Sequence, residues 1–243
     1  GAGNPDAVKD ATKAYQYISK EDWDTIKSGK SAYTLVQSRE EFQKLATTPS
    51  TTPVLGAFRN QSNLAYCKAD RQSADPALPT LAEMAGGTLN CLDGNNGFFL
   101  MIEGGAIDWC GHANDLNGAI GETLAFDDTV STVLDWIAKH GGWDQNLLII
   151  TADHDTGYLN HVAPTAAGQL PTATWGITGT WPNHTNRPVH VYYQGSGSEQ
   201  LNPYTLTVND FERGKIQVVD NTAIAKMMFA ALAAKQPVTA GAR

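Results

Sequence analysis

The sequence predicts an α/β fold, on three observations. Residues 98–102 (FFLMI) and 146–150 (NLLII) are two runs of strand length that end abruptly in polar residues. Runs of this kind read as buried strands. Between them, residues 119–140 carry Ile120, Leu124, Val130, Val133, Leu134 and Ile137 at helical spacing, and Gly141-Gly142 closes the helix. A strand, a helix and a strand in that order imply a right-handed crossover with the two strands parallel. The polar residues that follow the two strands then share one rim, the edge at which open α/β sheets bind ligands.

The remaining elements alternate in the same way. Gly1-Ala2-Gly3-Asn4-Pro5-Asp6 is the punctuation that follows a strand, so the chain reads as starting within a fold. A short polar helix is expected over residues 21–27, a strand over 32–36, and a helix opened by the capping box Ser38-Arg39-Glu40-Glu41. Residues 54–58 read as another short strand. Residues 60–78, rich in Asn, Gln, Ser, Asp and Ala without a period, read as an accessory surface loop. Pro79 and Thr80 open the next helix, with Glu83 completing a capping box and Leu81, Met84, Leu89 and Leu92 on one side, weakened by Gly86 and Gly87. A strand is expected over 189–193, and Asp220 or Asn221 caps a last helix bearing Ile224, Met227, Met228 and Leu232.

The net charge of −8 argues against nucleic acid or an anionic membrane surface as the main partner, since both require a basic patch. No apolar run approaches the roughly 20 residues of a spanning helix. Three cysteines allow at most one disulfide; Cys91 reads as a free thiol on a helix core face, Cys67 as the loop candidate for a bridge, and Cys110 is not assigned.

Chemistry concentrates after the two apolar runs. Glu103, Asp108 and His112 follow the first, Asp153 and His154 follow the second, and His184 precedes the strand at 189–193. A single Asp-x-x-x-His pair is weak evidence for a metal, because such residues commonly cap helices or meet solvent. The set carries more weight: three carboxylates and three imidazoles at one rim suit zinc, and the carboxylate-rich corner suits magnesium. Two metals a few ångströms apart would clamp a phosphoryl group.

These residues, with Gly1-Ala2-Gly3-Asn4-Pro5-Asp6, Leu78-Pro79-Thr80-Leu81-Ala82-Glu83-Met84, Glu103-Gly104-Gly105, Ile120-Gly121-Glu122-Thr123 and Thr151-Ala152-Asp153-His154, resemble the carboxyl-terminal half of the alkaline phosphatase family. The resemblance implies a three-layer α/β/α sandwich in which this chain supplies the later part of the central sheet. Residues 1–243 would then be the carboxyl-terminal portion of one domain. It implies two zinc ions and one magnesium. Asp108, His112 and His184 resemble the ligands of the first zinc, Asp153 and His154 part of the second site, and Glu103 a magnesium ligand. Trp109 resembles a position that touches substrate or water. The implied reaction is hydrolysis of phosphate monoesters through a phosphoserine, in a periplasmic or secreted homodimer.

The family's nucleophile, a serine in an Asp-Ser-Ala context, has no counterpart here: Ser31-Ala32 and Ser73-Ala74 follow Lys30 and Gln72. The chain by itself is therefore expected to be inactive, with the serine in a missing amino-terminal half. The competing readings are a phosphodiesterase, phosphomutase or sulfatase of the same superfamily, and a non-catalytic, stand-alone metal-binding fragment or inactive relative. Asp155 and Thr156 stand where they can support the ligands, and His140, His161 and His190 read as structural.

Overall fold

The computed structural model describes residues 4–59, 70, 75–94, 96–163, 165–179, 183–210 and 213–234. In chain order they form α1 (Lys20–Lys27), β1 (Thr34–Val36), α2 (Arg39–Leu45), β2 (Val54–Gly56), α3 (Leu81–Leu92), α4 (Ala106–His112) and α5 (Leu116–Lys139). Then follow α6 (Gly142–Gln145), β3 (Leu147–Thr151), β4 (Asp155–Thr156), β5 (Leu159–Val162), β6 (Ala173–Trp175), β7 (His184–Thr185), β8 (Val191–Gly195), β9 (Thr205–Asp210), β10 (Gly214–Val219) and α7 (Asn221–Ala234). Two compact units result, the first from the described residues of Gly1–Trp136 and Thr156–Thr185, the second from those of Ile137–Asp155 and Asn186–Arg243.

Local chemistry sets the helix starts of the first unit. The Ser19 hydroxyl accepts from the Asp22 amide to open α1, and both expected capping boxes are formed, Ser38 with Glu41 at α2 and Thr80 with Glu83 at α3. Each supplies partners for amides that have none inside the helix. Strands β1 and β2 pair in parallel, Leu35 opposite Leu55, and Val36, Phe42, Leu45 and Phe58 form the core with Met84 and Cys91 packed against it. Cys91 is a free thiol, as expected. The buried Asn4 amide donates to the carbonyls of Ala57 and Phe58 at 2.7 and 2.9 Å, tying the Asn-Pro-Asp segment to the residues that follow β2. The Arg39 guanidinium meets the Glu83 carboxylate from Nε and Nη2 at 2.8–3.1 Å and joins α2 to α3.

The run 98–102 departs from expectation. It belongs to no strand, and Phe99 and Met101 are 62% and 73% exposed. The physical reason is that a buried strand needs ladder partners at its edges and cover on both faces, and the described residues supply neither along this run. Phe98 meets an aromatic neighbour, Trp136, edge to face at 5.4 Å. The run therefore does not supply the first strand of the predicted crossover among the described residues.

In the second unit β3 pairs antiparallel with β8, Ile149 opposite Tyr193. The expected strand at 189–193 begins two residues later than predicted, at Val191. Hairpin β9–β10 escaped the sequence reading. Leu201, Ala223 and Met227 are the core here, with Leu147, Ile149 and Tyr193 against it. Asp220 accepts from the Thr222 amide at 2.9 Å and so opens α7 as predicted. Of the proposed loop 60–78, all but residues 70 and 75–78 lies outside the described residues, as does Cys67.

Candidate metal centre

Helix α4 is seven residues long, opens at Gly105 without a side-chain cap, and buries Ala106, Cys110, Gly111 and His112. Residues four apart lie on one helix face. Asp108 and His112 are such a pair, and their side chains meet, Oδ2 to Nε2 at 3.4 Å. His184, on the two-residue strand β7, brings its Nε2 to 3.1 Å from His112 Nε2 and 3.4 Å from Asp108 Oδ1. The three side chains grade outward, His112 at 8% exposed, Asp108 at 32% and His184 at 46%.

The donor set fits zinc. Two ligand atoms about 2.0–2.1 Å from a tetrahedral zinc stand about 3.3–3.4 Å apart; the two ring nitrogens here are 3.1 Å apart, and the Asp108 carboxylate faces each of them through a different oxygen at 3.4 Å. Two ring nitrogens facing each other can share at most one proton, so at least one presents a lone pair inward. Three protein ligands with solvent access on one side are the pattern of a site that keeps a position open. Asp108, His112 and His184 are the one metal-competent group found among the described residues.

The other predicted residues are placed as follows. Asp153 and His154 belong to the second unit and pair with each other, Oδ2 to Nε2 at 3.1 Å, with the Asp153 side chain 85% exposed. Glu103 is exposed in the segment before α4, and Trp109 is half-buried on α4 itself. Sequence reasoning missed that the first ligands sit on a helix; their spacing of four was the available signal. Of Asp155 and Thr156, which that reasoning named as able to support the ligands, Thr156 reaches one: its hydroxyl donates to Asp108 Oδ1 at 2.5 Å.

A family model described as "Alkaline phosphatase" matches residues 5–213. The chain belongs to the alkaline phosphatase family. Alkaline phosphatase H of Pseudomonas aeruginosa is 28% identical over 228 residues, covering 84% of this chain and 44% of that protein. Alkaline phosphatase 3 of Bacillus subtilis is 34% identical over 141 residues, 58% of this chain and 28% of that one. The chain thus spans less than half the length of these curated relatives. The alkaline phosphatase of the Antarctic bacterium TAB5 aligns with a TM-score of 0.51 at 24% identity, over 75% of this chain and 51% of that structure. That likeness carries the fold, α/β and alkaline phosphatase-like, as predicted. No helix among the described residues is long and apolar enough to cross a membrane.

Proposed function

We propose that this chain is the metal-holding part of an alkaline phosphatase that hydrolyses phosphate monoesters. The observation that carries the reading is the Asp108–His112–His184 group, two ring nitrogens 3.1 Å apart with the Asp108 carboxylate facing both, Oδ2 to His112 and Oδ1 to His184 at 3.4 Å. Asp108, His112 and His184 hold the first zinc. Asp153 and His154 contribute to a second, and Glu103 to a magnesium. When bound, such cations supply Lewis-acid stabilisation of phosphoryl charge and of the attacking and leaving oxygens.

The chain's own residues bind and orient. Buried His112 fixes one ligand rigidly, while half-exposed His184 leaves the centre open to solvent on its side. Trp109, next to Asp108 on α4, lines the approach for the ester. The nucleophile is a serine on polypeptide outside this chain, and the reaction passes through a phosphoserine. Residues 1–243 form the carboxyl-terminal portion of one domain, which works as a homodimer in the periplasm or outside the cell. The exposed Phe99 and Met101 favour this over a stand-alone metal-binding module, since large apolar side chains left exposed side by side on one run call for a covering partner.

The test is calorimetric titration of the chain with zinc, alongside a phosphate monoester assay. Saturable zinc binding that Asp108→Asn weakens at least tenfold, with no hydrolysis until the remaining polypeptide is supplied, is expected. Absence of zinc binding, or hydrolysis by the chain alone, would overturn the reading.

A further inference from the structure

We propose that Thr156 is a positioning residue for this centre: its hydroxyl fixes the plane of the Asp108 carboxylate and thereby sets the centre's affinity for zinc. The inference rests on the reading that Asp108, His112 and His184 hold a metal. A carboxylate on a helix can turn about its last torsion, which is a broad, soft rotor. Asp108 has both oxygens engaged, Oδ2 facing His112 at 3.4 Å and Oδ1 facing His184 at 3.4 Å. The Thr156 hydroxyl donates to Oδ1 at 2.5 Å, so the rotor is held from outside the ligand set. Threonine suits the task because it is neutral, is stiff at its first torsion, and leaves the carboxylate its charge.

The backbone around Thr156 shows how the hydroxyl is placed. A Cβ on Gly111 of α4 would lie 3.0 Å from Thr156 Cβ, 3.1 Å from its Cγ2 and 3.3 Å from its carbonyl oxygen. Glycine there lets Thr156 lie flat against the helix that bears Asp108 and His112. Gly157 has φ of +73°, and a Cβ on it would lie 2.9 Å from the Gly111 carbonyl. The Gly157 amide in turn donates to the Asn183 carbonyl at 3.3 Å, one residue before His184. Asn114, just past α4, donates to the carbonyls of Gly111 and Ile177 at 3.3 Å. The Thr156-Gly157 step therefore touches both ligand-bearing elements, α4 through a side chain and close packing, and β7 through the backbone.

Groups that orient a metal ligand typically contribute about 10–100-fold in affinity. Zinc affinity of the full chain is measured by competition with a chromophoric chelator for the parent and for Thr156→Val, Thr156→Ala and Thr156→Ser. Cobalt(II) spectra report the geometry. The hydroxyl-free variants should bind zinc about 10–100-fold more weakly and change the cobalt spectrum, while Thr156→Ser stays within about threefold of the parent. Circular dichroism of the metal-free proteins should be the same for all four. If Val and Ala variants bind as the parent does, or if Ser is as impaired as Val, the hydroxyl has no positioning role. If the parent itself binds no zinc, the reading of the centre fails and this inference with it.

Discussion

Zinc should raise the unfolding temperature of this chain, and replacing His112 should abolish the rise. Anything that binds the folded state alone stabilises it by RT ln(1 + [L]/Kd), about 2.7 kcal/mol when free zinc is 100 times Kd. For a chain of 243 residues, 1 kcal/mol moves the midpoint by about 2–4 °C. The expected rise is thus about 5–11 °C. His112 is the most buried ligand, and its Nε2 stands 3.1 Å from His184 Nε2 and 3.4 Å from Asp108 Oδ2. Its removal leaves one imidazole and one carboxylate, too few for a tetrahedral centre. His112→Ala also empties a buried ring position, which lowers the midpoint on its own. The comparison is therefore each protein with zinc against the same protein with chelator, by differential scanning calorimetry. His190→Ala, outside the ligand group, serves as the control that keeps its shift. A zinc-dependent rise that survives in His112→Ala would refute the assignment, as would a parent that does not respond.

A second prediction concerns acid. Burial alone would raise the Glu83 carboxyl, but hydrogen bonds from Arg39, Gln43 and the Thr80 amide outweigh it and hold the group below the ordinary glutamate range. Such a group contributes stability that is fully present above its unfolded pKa, about 4.3, and lost as pH falls through the lower folded value. Glu83→Gln should cost about 1–2 kcal/mol at neutral pH, a figure held down by solvent screening, with Glu83 and Arg39 24% and 34% exposed. The cost should shrink as pH drops below about 4, and a urea-melt difference that stays constant from pH 7 to pH 2 would contradict this. A third concerns the uncovered run: with Phe99 and Met101 at 62% and 73% exposed, Phe99→Thr with Met101→Thr should reduce self-association in light scattering while moving the unfolding midpoint by less than about 2 °C. A larger drop would mean that the run is packed.

What the sequence made legible was whatever one segment decides alone. The boxes Ser38–Glu41 and Thr80–Glu83 form because a hydroxyl and a carboxylate three residues apart satisfy amides within the same turn. Helix α5 follows from its own apolar spacing, and Asp220 opens α7 by the same local logic. The run 98–102 failed because strand formation is a property of pairs: FFLMI has the composition of a buried strand, but the described residues bring it no ladder partner. Strand β3 was found, yet its partner β8 and their antiparallel sense depend on a segment some forty residues away, which no local period reports.

The metal centre divides along the same line. Resemblance named Asp108, His112 and His184, and residue type alone suited them to zinc, but neither placed Asp108 and His112 on a helix. Helix α4 has only seven residues, no side-chain cap, and Gly111 in its last turn, so it offers too little period and too little propensity to announce itself. The same glycine is what admits Thr156 to the helix surface, and the positive φ of Gly157 carries the chain onward toward the segment before His184. The features that weaken α4 as a helix in the sequence are thus the ones that let a second segment reach its ligand. A site assembled through close backbone approach leaves glycines in the sequence rather than pattern, and a glycine beside a ligand, as Gly111 is beside His112, is the signal by which such an arrangement can be found.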